Sequence, residues 1–261
     1  MLAAVAAASI VHALVYGPGK GVAPKLTPAS PTVLQEIRSV TPAEQDAVGL
    51  PPSASVPFVA KREPSLRLEG RPAALYIGAE FCPDCAATRW AMVMAFDRFG
   101  AFSGLHETTS SPWDDDPSTP TFSFYGSRYE SPYLSLVTVE REGNDTHGLG
   151  TRTNLQPLTA LESQLWARYD ARFGLPESFP FLDIGNEVFV LDSSYDPRAL
   201  AGLDQQEVAA ALSRSSSSIA RDIIGAANYL TAAICQLTHG RPMEVCTVGA
   251  VHTAATVLGL G

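Results

Sequence analysis

Two cysteines, Cys82 and Cys85, lie between an apolar, strand-like stretch at residues 73–77 and a helix-like stretch at residues 87–99. At a helix N-terminus the first backbone N–H groups are unpaired and the helix dipole is positive, so a sulfur there is stabilised as a thiolate. The second sulfur lies one turn further on, close enough to close a disulfide or to resolve a mixed one. This spacing predicts a dithiol site that exchanges disulfides.

Zinc binding and a purely structural disulfide are the alternatives for this pair. A structural zinc site needs four ligands, but Cys235 and Cys246 do not form a second CxxC, and the histidines are not spaced as an H-x3-5-H pair. A disulfide that closes so small a loop stabilises little and is typically reducible. We therefore expect thiol chemistry without a metal or a cofactor.

The composition limits the class of protein. The 261 residues carry a net charge of −9 and contain no basic run, which argues against nucleic acid as a partner. With 46% hydrophobic and 17% charged residues, the chain has the composition of a globular protein. Its length allows one domain with extensions.

Residues 1–23 begin with an apolar run, residues 1–16, that ends before a glycine-rich turn. A helix of this length spans about 24 Å, somewhat less than a hydrocarbon core of about 30 Å. The run predicts a membrane anchor or a signal-like segment, with the rest of the chain outside the cytoplasm. Because Lys20 and Lys25 follow the run and no basic residue precedes it, we expect a reading frame that starts upstream. A buried N-terminal helix is the alternative.

The remaining chain divides into two parts. Residues 24–70 are rich in Pro, Ser, Thr and Val and predict a linker with peripheral elements, including two short helices. Residues 71–261 form the predicted globular domain. Apolar patterns there predict strands at 105–109, 121–124 and 134–140, a hairpin at 181–191, and helices at 86–99, 159–169, 204–213 and 216–236.

Several segments resemble a known family. Residues 79–85, Ala-Glu-Phe-Cys-Pro-Asp-Cys, resemble the thioredoxin signature, and residues 178–186 resemble the cis-proline segment and following hairpin of thioredoxin and DsbA-like proteins. Together with residues 89–92 and 225–235, they resemble an uncharacterised thioredoxin-like prokaryotic family, a domain of unknown function. The resemblance implies an α/β, thioredoxin-like fold, in which helices flank a central mixed sheet, with an N-terminal apolar helix and extra C-terminal helices.

The resemblance also implies roles for site residues. Cys82 would be the exposed nucleophile and Cys85 the resolving thiol, while Pro180, opposite them, would turn the backbone of Phe179 toward the sulfurs and a bound peptide. An X–Pro bond is the one linkage for which the cis form costs only about 0.5–1 kcal/mol. Pro120, within a Thr-Pro-Thr-Phe run, is the competing candidate for the cis-proline.

The site departs from the thioredoxin pattern at two positions. Tyr76 stands where thioredoxin has a buried aspartate, and Pro83 and Asp84 separate the cysteines. The Asp84 carboxylate opposes ionisation of Cys82, whereas the helix N-terminus favours it. We expect a moderately acidic thiol that is not a strong oxidant, with Glu80 near the sulfurs.

Cys235 and Cys246 are left to pair with each other once Cys82 and Cys85 are paired by proximity. Closing a loop of about a dozen residues stabilises by roughly 3 kcal/mol in the chain-entropy model. Such a disulfide persists in an oxidising compartment, in agreement with an exported domain. Two buried free thiols are the alternative.

The leading functional hypothesis is a membrane-anchored or secreted thiol–disulfide oxidoreductase. Its partners would be exported protein thiols and disulfides or a membrane redox partner. The alternative is a binding or assembly module whose CxxC is structural or vestigial, with the loop at 110–118 covering the site. Burial of both sulfurs would favour that alternative. Copper handling by the two thiolates is the third hypothesis, although no Met-rich or His-rich stretch supports it.

Overall fold

The computed structural model describes residues 27–61, 63–146, 152–175 and 178–261. The predicted N-terminal apolar helix, and with it the predicted anchor, lies outside these residues. Within the described ranges, no helix combines the length and the apolar character that crossing a membrane requires.

The described residues form a mixed α/β structure, which confirms the predicted fold class at that level. The strands are β1 (Thr27–Pro28), β2 (Phe58–Val59), β3 (Arg67–Leu68), β4 (Arg71–Gly78), β5 (Ala101–Ser103), β6 (His106–Thr109), β7 (Pro120–Ser123), β8 (Arg128–Glu130), β9 (Ser135–Glu140), β10 (Glu142–Thr146), β11 (Arg152–Asn154), β12 (Phe181–Ile184) and β13 (Val188–Val190). The helices are α1 (Pro31–Ser39), α2 (Pro42–Val48), α3 (Pro83–Phe96), α4 (Ala160–Phe173), α5 (Gln205–Leu212), α6 (Ser218–Leu237), α7 (Met243–Cys246) and α8 (Gly249–Leu258), with a 3-10 turn at Pro197–Leu200.

The largest sheet is mixed and has β4 at its centre. β4 pairs in parallel with β9 on one side and antiparallel with β12 on the other, so that Ile77 faces both Val139 and Phe181. Beyond β12 the sheet continues through β13 to β2, and the first residues of β4 pair with β3. The mixed sheet agrees with the sequence-based expectation.

Helices cover both faces of this sheet. Alternate residues of a strand point to opposite faces, and β4 is apolar on both. Ala74 and Tyr76 belong to the core that α3 and α6 complete. Leu75 and Ile77 belong to the core on the other face, which α4 completes. Because α3 is packed on all sides, it is buried from Cys85 to Phe96 and lacks a polar stripe.

The first and last described segments pack onto the same body. Val33 and Ile37 of α1, in the segment expected to be a linker, are buried in the main core. Cys235 at the end of α6 and Cys246 at the end of α7 form a disulfide, as predicted. The α6 helix packs against α3, so this C-terminal part of the chain supports the helix that carries the CxxC motif.

Candidate active site

Cys82 lies at the junction between the central strand and the helix that follows it. β4 ends at Gly78, and Cys82 is the N-cap residue of α3, whose first residue is Pro83. Proline fits that position because the first helical N–H would have no intrahelical partner. The Cys82 Sγ accepts a hydrogen bond from the backbone N–H of Cys85 at 3.0 Å. The helix start therefore directs an N–H group at the sulfur, as the spacing predicts.

Both cysteines are free thiols and both are buried. Cys82 is 5% exposed and Cys85 is 0% exposed, so the expectation of an exposed nucleophile is wrong. Burial raises the pKa of Cys82 well above its ordinary value; the neighbouring Cys85 side chain adds to this, while Arg89 opposes it. The expected moderately acidic thiol is therefore also wrong, because loss of water around the sulfur outweighs the favourable helix terminus.

Aromatic side chains cover the cysteines. Phe81 and Phe179 pack against the cluster that Ala79 forms with Cys82 and Cys85. The two rings meet edge to face, with centroids 6.2 Å apart. Phe179 also stacks on Trp166 of α4, with ring centroids 5.3 Å apart. The cover therefore joins the segment before Cys82 to the segment before β12.

A second layer holds Phe81 in place. The Arg152 guanidinium carbon lies 3.6 Å from the centroid of the Phe81 ring. Arg152 also pairs with Asp114 at 3.3 Å, and the backbone N–H of Ser111 donates to the Phe81 carbonyl at 2.8 Å. The loop at 110–119 and the β10–β11 ribbon thus lie next to the site. A position of the loop at 110–118 over the site is what the binding-module alternative expects.

Pro180 follows Phe179, which packs against the dithiol. The Phe179–Pro180 bond is cis and the Thr119–Pro120 bond is not. Because Phe181 faces Ile77 in the sheet, Pro180 lies beside the end of β4, from which the chain leads to Cys82. Pro120 instead begins β7, and its carbonyl accepts a hydrogen bond from the Trp90 indole at 2.8 Å. The structure brings Phe179 to the cysteines and places Pro180 between Phe179 and β12, whereas Pro120 is buried at the start of β7.

The predicted polar residues of the site have different surroundings. Glu80 is 2% exposed, and the Ser123 hydroxyl donates to its Oε1. Asp84 is partly buried, and its pKa is raised to about 6 by burial and then by the Asp192, Asp116 and Asp196 carboxylates. Among the described residues, no group of three or more His, Cys, Asp or Glu side chains is arranged to hold a metal ion.

Sequence reasoning missed a buried ion pair between Arg89 and Glu140. Both side chains are 0% exposed. The Arg89 Nε donates to Glu140 Oε1 at 2.9 Å, and its Nη2 donates to Glu140 Oε2 at 2.7 Å. The sequence does contain a signal, since Arg89 is the one charged residue between Cys85 and Phe96 and follows Cys85 by four residues. Glu140 is likewise the charged end of an apolar strand.

The Tyr76 side chain is buried near the C-terminal end of β4. It is 0% exposed, its hydroxyl makes no hydrogen bond with the described residues, and burial raises its pKa well above the ordinary value. A Cβ at position 78 would lie 2.1 Å from the Tyr76 Oη. Gly78 is therefore required for Tyr76 to lie along β4 toward the site.

Comparison with known proteins gives one match. The family model described as Domain of unknown function (DUF929) matches residues 58–236. These residues run from β2 into α6 and include both cysteines of the motif, the buried ion pair and Pro180. No curated protein and no solved structure matches the chain.

Proposed function

The chain belongs to the DUF929 family, and we propose that it is a thiol–disulfide oxidoreductase with a thioredoxin-like fold. The observation that carries this proposal is the geometry of Cys82, a helix N-cap whose sulfur receives the Cys85 N–H at 3.0 Å. Phe179 and Pro180 lie beside it. Their place before β12 supports a role in binding an extended peptide next to the sulfur.

The strand connections support a thioredoxin-like fold. The chain runs from β4 through the CxxC motif and α3 to β9, which is parallel to β4. It later returns through Pro180 into the antiparallel β12–β13 hairpin on the other side of β4. This arrangement agrees with the CxxC and cis-proline segments on which the family resemblance rests.

The proposed reaction transfers two electrons from the dithiol to a partner disulfide. The Cys82 thiolate attacks one sulfur of the partner disulfide, which forms a mixed disulfide and releases the first partner thiolate. Cys85 then attacks the Cys82 Sγ, which forms the Cys82–Cys85 bond and releases the second partner sulfur. The proton lost by Cys85 goes to the departing sulfur, so the partner is reduced and the dithiol is oxidised.

Burial of Cys82 favours this direction of electron flow. Strong oxidants such as DsbA owe their potential to a stabilised reduced form with an acidic thiol. Here burial raises the pKa of Cys82, so the reduced form lacks that stabilisation. We therefore propose that the protein donates electrons to partner disulfides.

Two observations support a location outside the cytoplasm. The Cys235–Cys246 disulfide is of a kind that persists in oxidising compartments. The apolar run at residues 1–16, outside the described residues, agrees with export or anchoring. The proposed partners are accordingly exported proteins or a membrane redox protein.

A second candidate is favoured by the burial of both sulfurs. Cys82 is only 5% exposed and Cys85 is 0% exposed, beneath Phe81 and Phe179. A binding or assembly module with a structural CxxC would need no access to these thiols. The two candidates differ in whether Cys82 reacts with a partner disulfide.

Insulin reduction by dithiothreitol distinguishes them. We expect the wild type to accelerate the reaction and the Cys82→Ser variant to be inactive. The reduced Cys85→Ser variant, incubated with insulin in the absence of dithiothreitol, should form a mixed disulfide at Cys82. A wild type no faster than Cys82→Ser would reject the oxidoreductase and leave the binding module. Arg128→Ala, a change at an exposed residue of β8, serves as the control.

A further inference from the structure

A fully buried ion pair lies in the core beneath the dithiol. Arg89 and Glu140 are each 0% exposed. Removing two charges from water carries a penalty that their attraction only partly offsets, and an apolar pair of similar volume is often at least as stable. Stability alone is therefore a weak reason for this pair to occupy the core.

The position of Arg89 connects it to the cysteines. Arg89 follows Cys85 by four residues in α3, so both side chains lie on the same helix face. Its Nη2 donates to the carbonyl of Ala79 at 2.7 Å, and Ala79 packs against both Cys82 and Cys85. The guanidinium thus lies under the segment that forms the floor of the site.

The guanidinium is held firmly but is not fully satisfied. Glu140 binds its Nε and Nη2, and the Phe124 N–H donates to Glu140 Oε1 at 3.2 Å, which fixes the carboxylate in turn. The Arg89 Nη1 is buried and makes no hydrogen bond with the described residues. A positive group with unused N–H donors therefore lies beneath two thiols that have little access to water.

We propose that Arg89 is a positioning residue of the dithiol: its guanidinium is the fixed positive charge that allows a buried thiolate to form at Cys82, and Glu140 holds it in place. The inference rests on the proposed function only in requiring that Cys82 ionises. Arg89 also lowers the pKa of Cys82 against the effect of burial.

Among the described residues, the other titratable groups next to the dithiol are acids apart from Arg152, which lies on the Phe81 ring and pairs with Asp114. Tyr76 lies in β4, Glu80 in the segment before Cys82, Asp84 in α3 and Glu140 in β9. Each of these groups is neutral or negative, so it either leaves a thiolate unaffected or opposes it. Arg89 supplies the opposite charge.

The test is the pH dependence of the alkylation of Cys82 by iodoacetamide, measured in a Cys85→Ser background. The midpoint of the profile reports ionisation, and limited access to the sulfur scales all rates alike. We expect Arg89→Met/Glu140→Gln, which removes both charges at similar volume, to raise the midpoint by about one pH unit and slow alkylation at pH 7 about tenfold. Glu140→Gln alone should lower the midpoint, because it removes only the negative charge. The conservative Arg89→Lys, which keeps the positive charge, should have a midpoint close to that of the parent.

A structural role would give a different result. If the pair only stabilises the core, the variants will differ in urea unfolding, while the alkylation midpoint of the folded double variant will equal that of the parent. That outcome would overturn the proposal. If the double variant does not fold, Arg89→Gln replaces it, because this variant removes the guanidinium and keeps a hydrogen-bonding side chain beside Glu140, and the midpoint is again expected to rise.

The alkylation profile also separates this inference from the proposed function. A shifted midpoint in a protein that does not reduce insulin would reject the oxidoreductase and retain the role of Arg89. Insulin reduction together with an unshifted midpoint would retain the oxidoreductase and reject the role of Arg89.

Discussion

Replacing Asp183 by Asn should remove a pH-dependent loss of stability that originates inside the sheet. Asp183 lies in β12 and is 0% exposed. Burial raises its pKa to about 7, although the backbone N–H of Asn186 donates to its Oδ1 at 2.6 Å and opposes the shift. Its Oδ2 has no hydrogen-bond partner among the described residues. An asparagine keeps the Oδ1 acceptor and loses the titration.

The size of the effect follows from the two pKa values. An unfolded chain releases the Asp183 proton near pH 3.9, whereas the folded chain keeps it to about pH 7. Between these values the folded state binds more protons, so the free energy of unfolding falls as the pH rises. At about 1.4 kcal/mol for each pH unit, the stabilisation present below pH 4 and lost above pH 7 amounts to about 4 kcal/mol.

Urea unfolding of the wild type and of Asp183→Asn at pH 4 and pH 8 measures this contribution. Every other titrating group is common to both proteins, so the change in their stability difference isolates Asp183. We expect the variant to gain about 4 kcal/mol relative to the wild type between pH 4 and pH 8. Asp115→Asn, at an exposed loop position, is the control and should show no such change. Equal pH dependence of Asp183→Asn and the wild type would refute the reasoning.

Two further predictions concern the disulfide and the cover of the site. The Cys235→Ser/Cys246→Ser variant should lose about 3 kcal/mol of unfolding free energy in urea, because the disulfide closes a loop with a sequence separation of 11 residues. If adding a reductant destabilises this variant further, the loss has another cause. Arg152→Ala should increase the alkylation rate of Cys82 severalfold at a pH above its midpoint, because the guanidinium that lies on Phe81 is gone. Equal rates would show that Arg152 does not restrict access.

Local patterns in the sequence were sufficient to predict the elements around the motif. The buried strand and the helix on either side of Cys82 follow from short apolar runs, and both are present as β4 and α3. The Gly185–Asn186 turn of the β12–β13 hairpin needs positive φ values, which Gly and Asn tolerate, and these are 74° and 60°. Such features depend on neighbours along the chain, so a single sequence records them.

The properties that decide the chemistry depend on distant residues. Cys82 is covered in part by Phe179, which lies far along the chain, and no local pattern reports that contact. The sequence shows the helix terminus and Asp84 but not the burial of Cys82, which has the largest effect on the pKa of this thiol. The Arg89–Glu140 pair joins residues 51 positions apart and becomes visible only when α3 packs against β9.

The boundaries of single elements show the same limit. The predicted helix at 86–99 begins at Pro83 and ends at Phe96, where Asp97 is the C-cap. The two short helices predicted within residues 24–70 are present as α1 and α2, and α2 begins with a capping box in which Thr41 and Glu44 each bond the other's backbone N–H. Val33 and Ile37 place α1 in the main core because α5 and α3 offer an apolar surface to it, which residue composition does not reveal.

The reduction potential of the Cys82–Cys85 couple tests the proposed function most directly. Equilibration of the full chain with glutathione or dithiothreitol buffers, followed by alkylation and mass measurement, gives this value. Burial raises the pKa of Cys82, so the reduced form is not stabilised by an acidic thiol. We therefore expect a reversible couple with a reduction potential at or below the thioredoxin value of about −270 mV. A potential near the DsbA value of about −120 mV, or thiols that never form a bond with each other, would contradict the proposed electron donor.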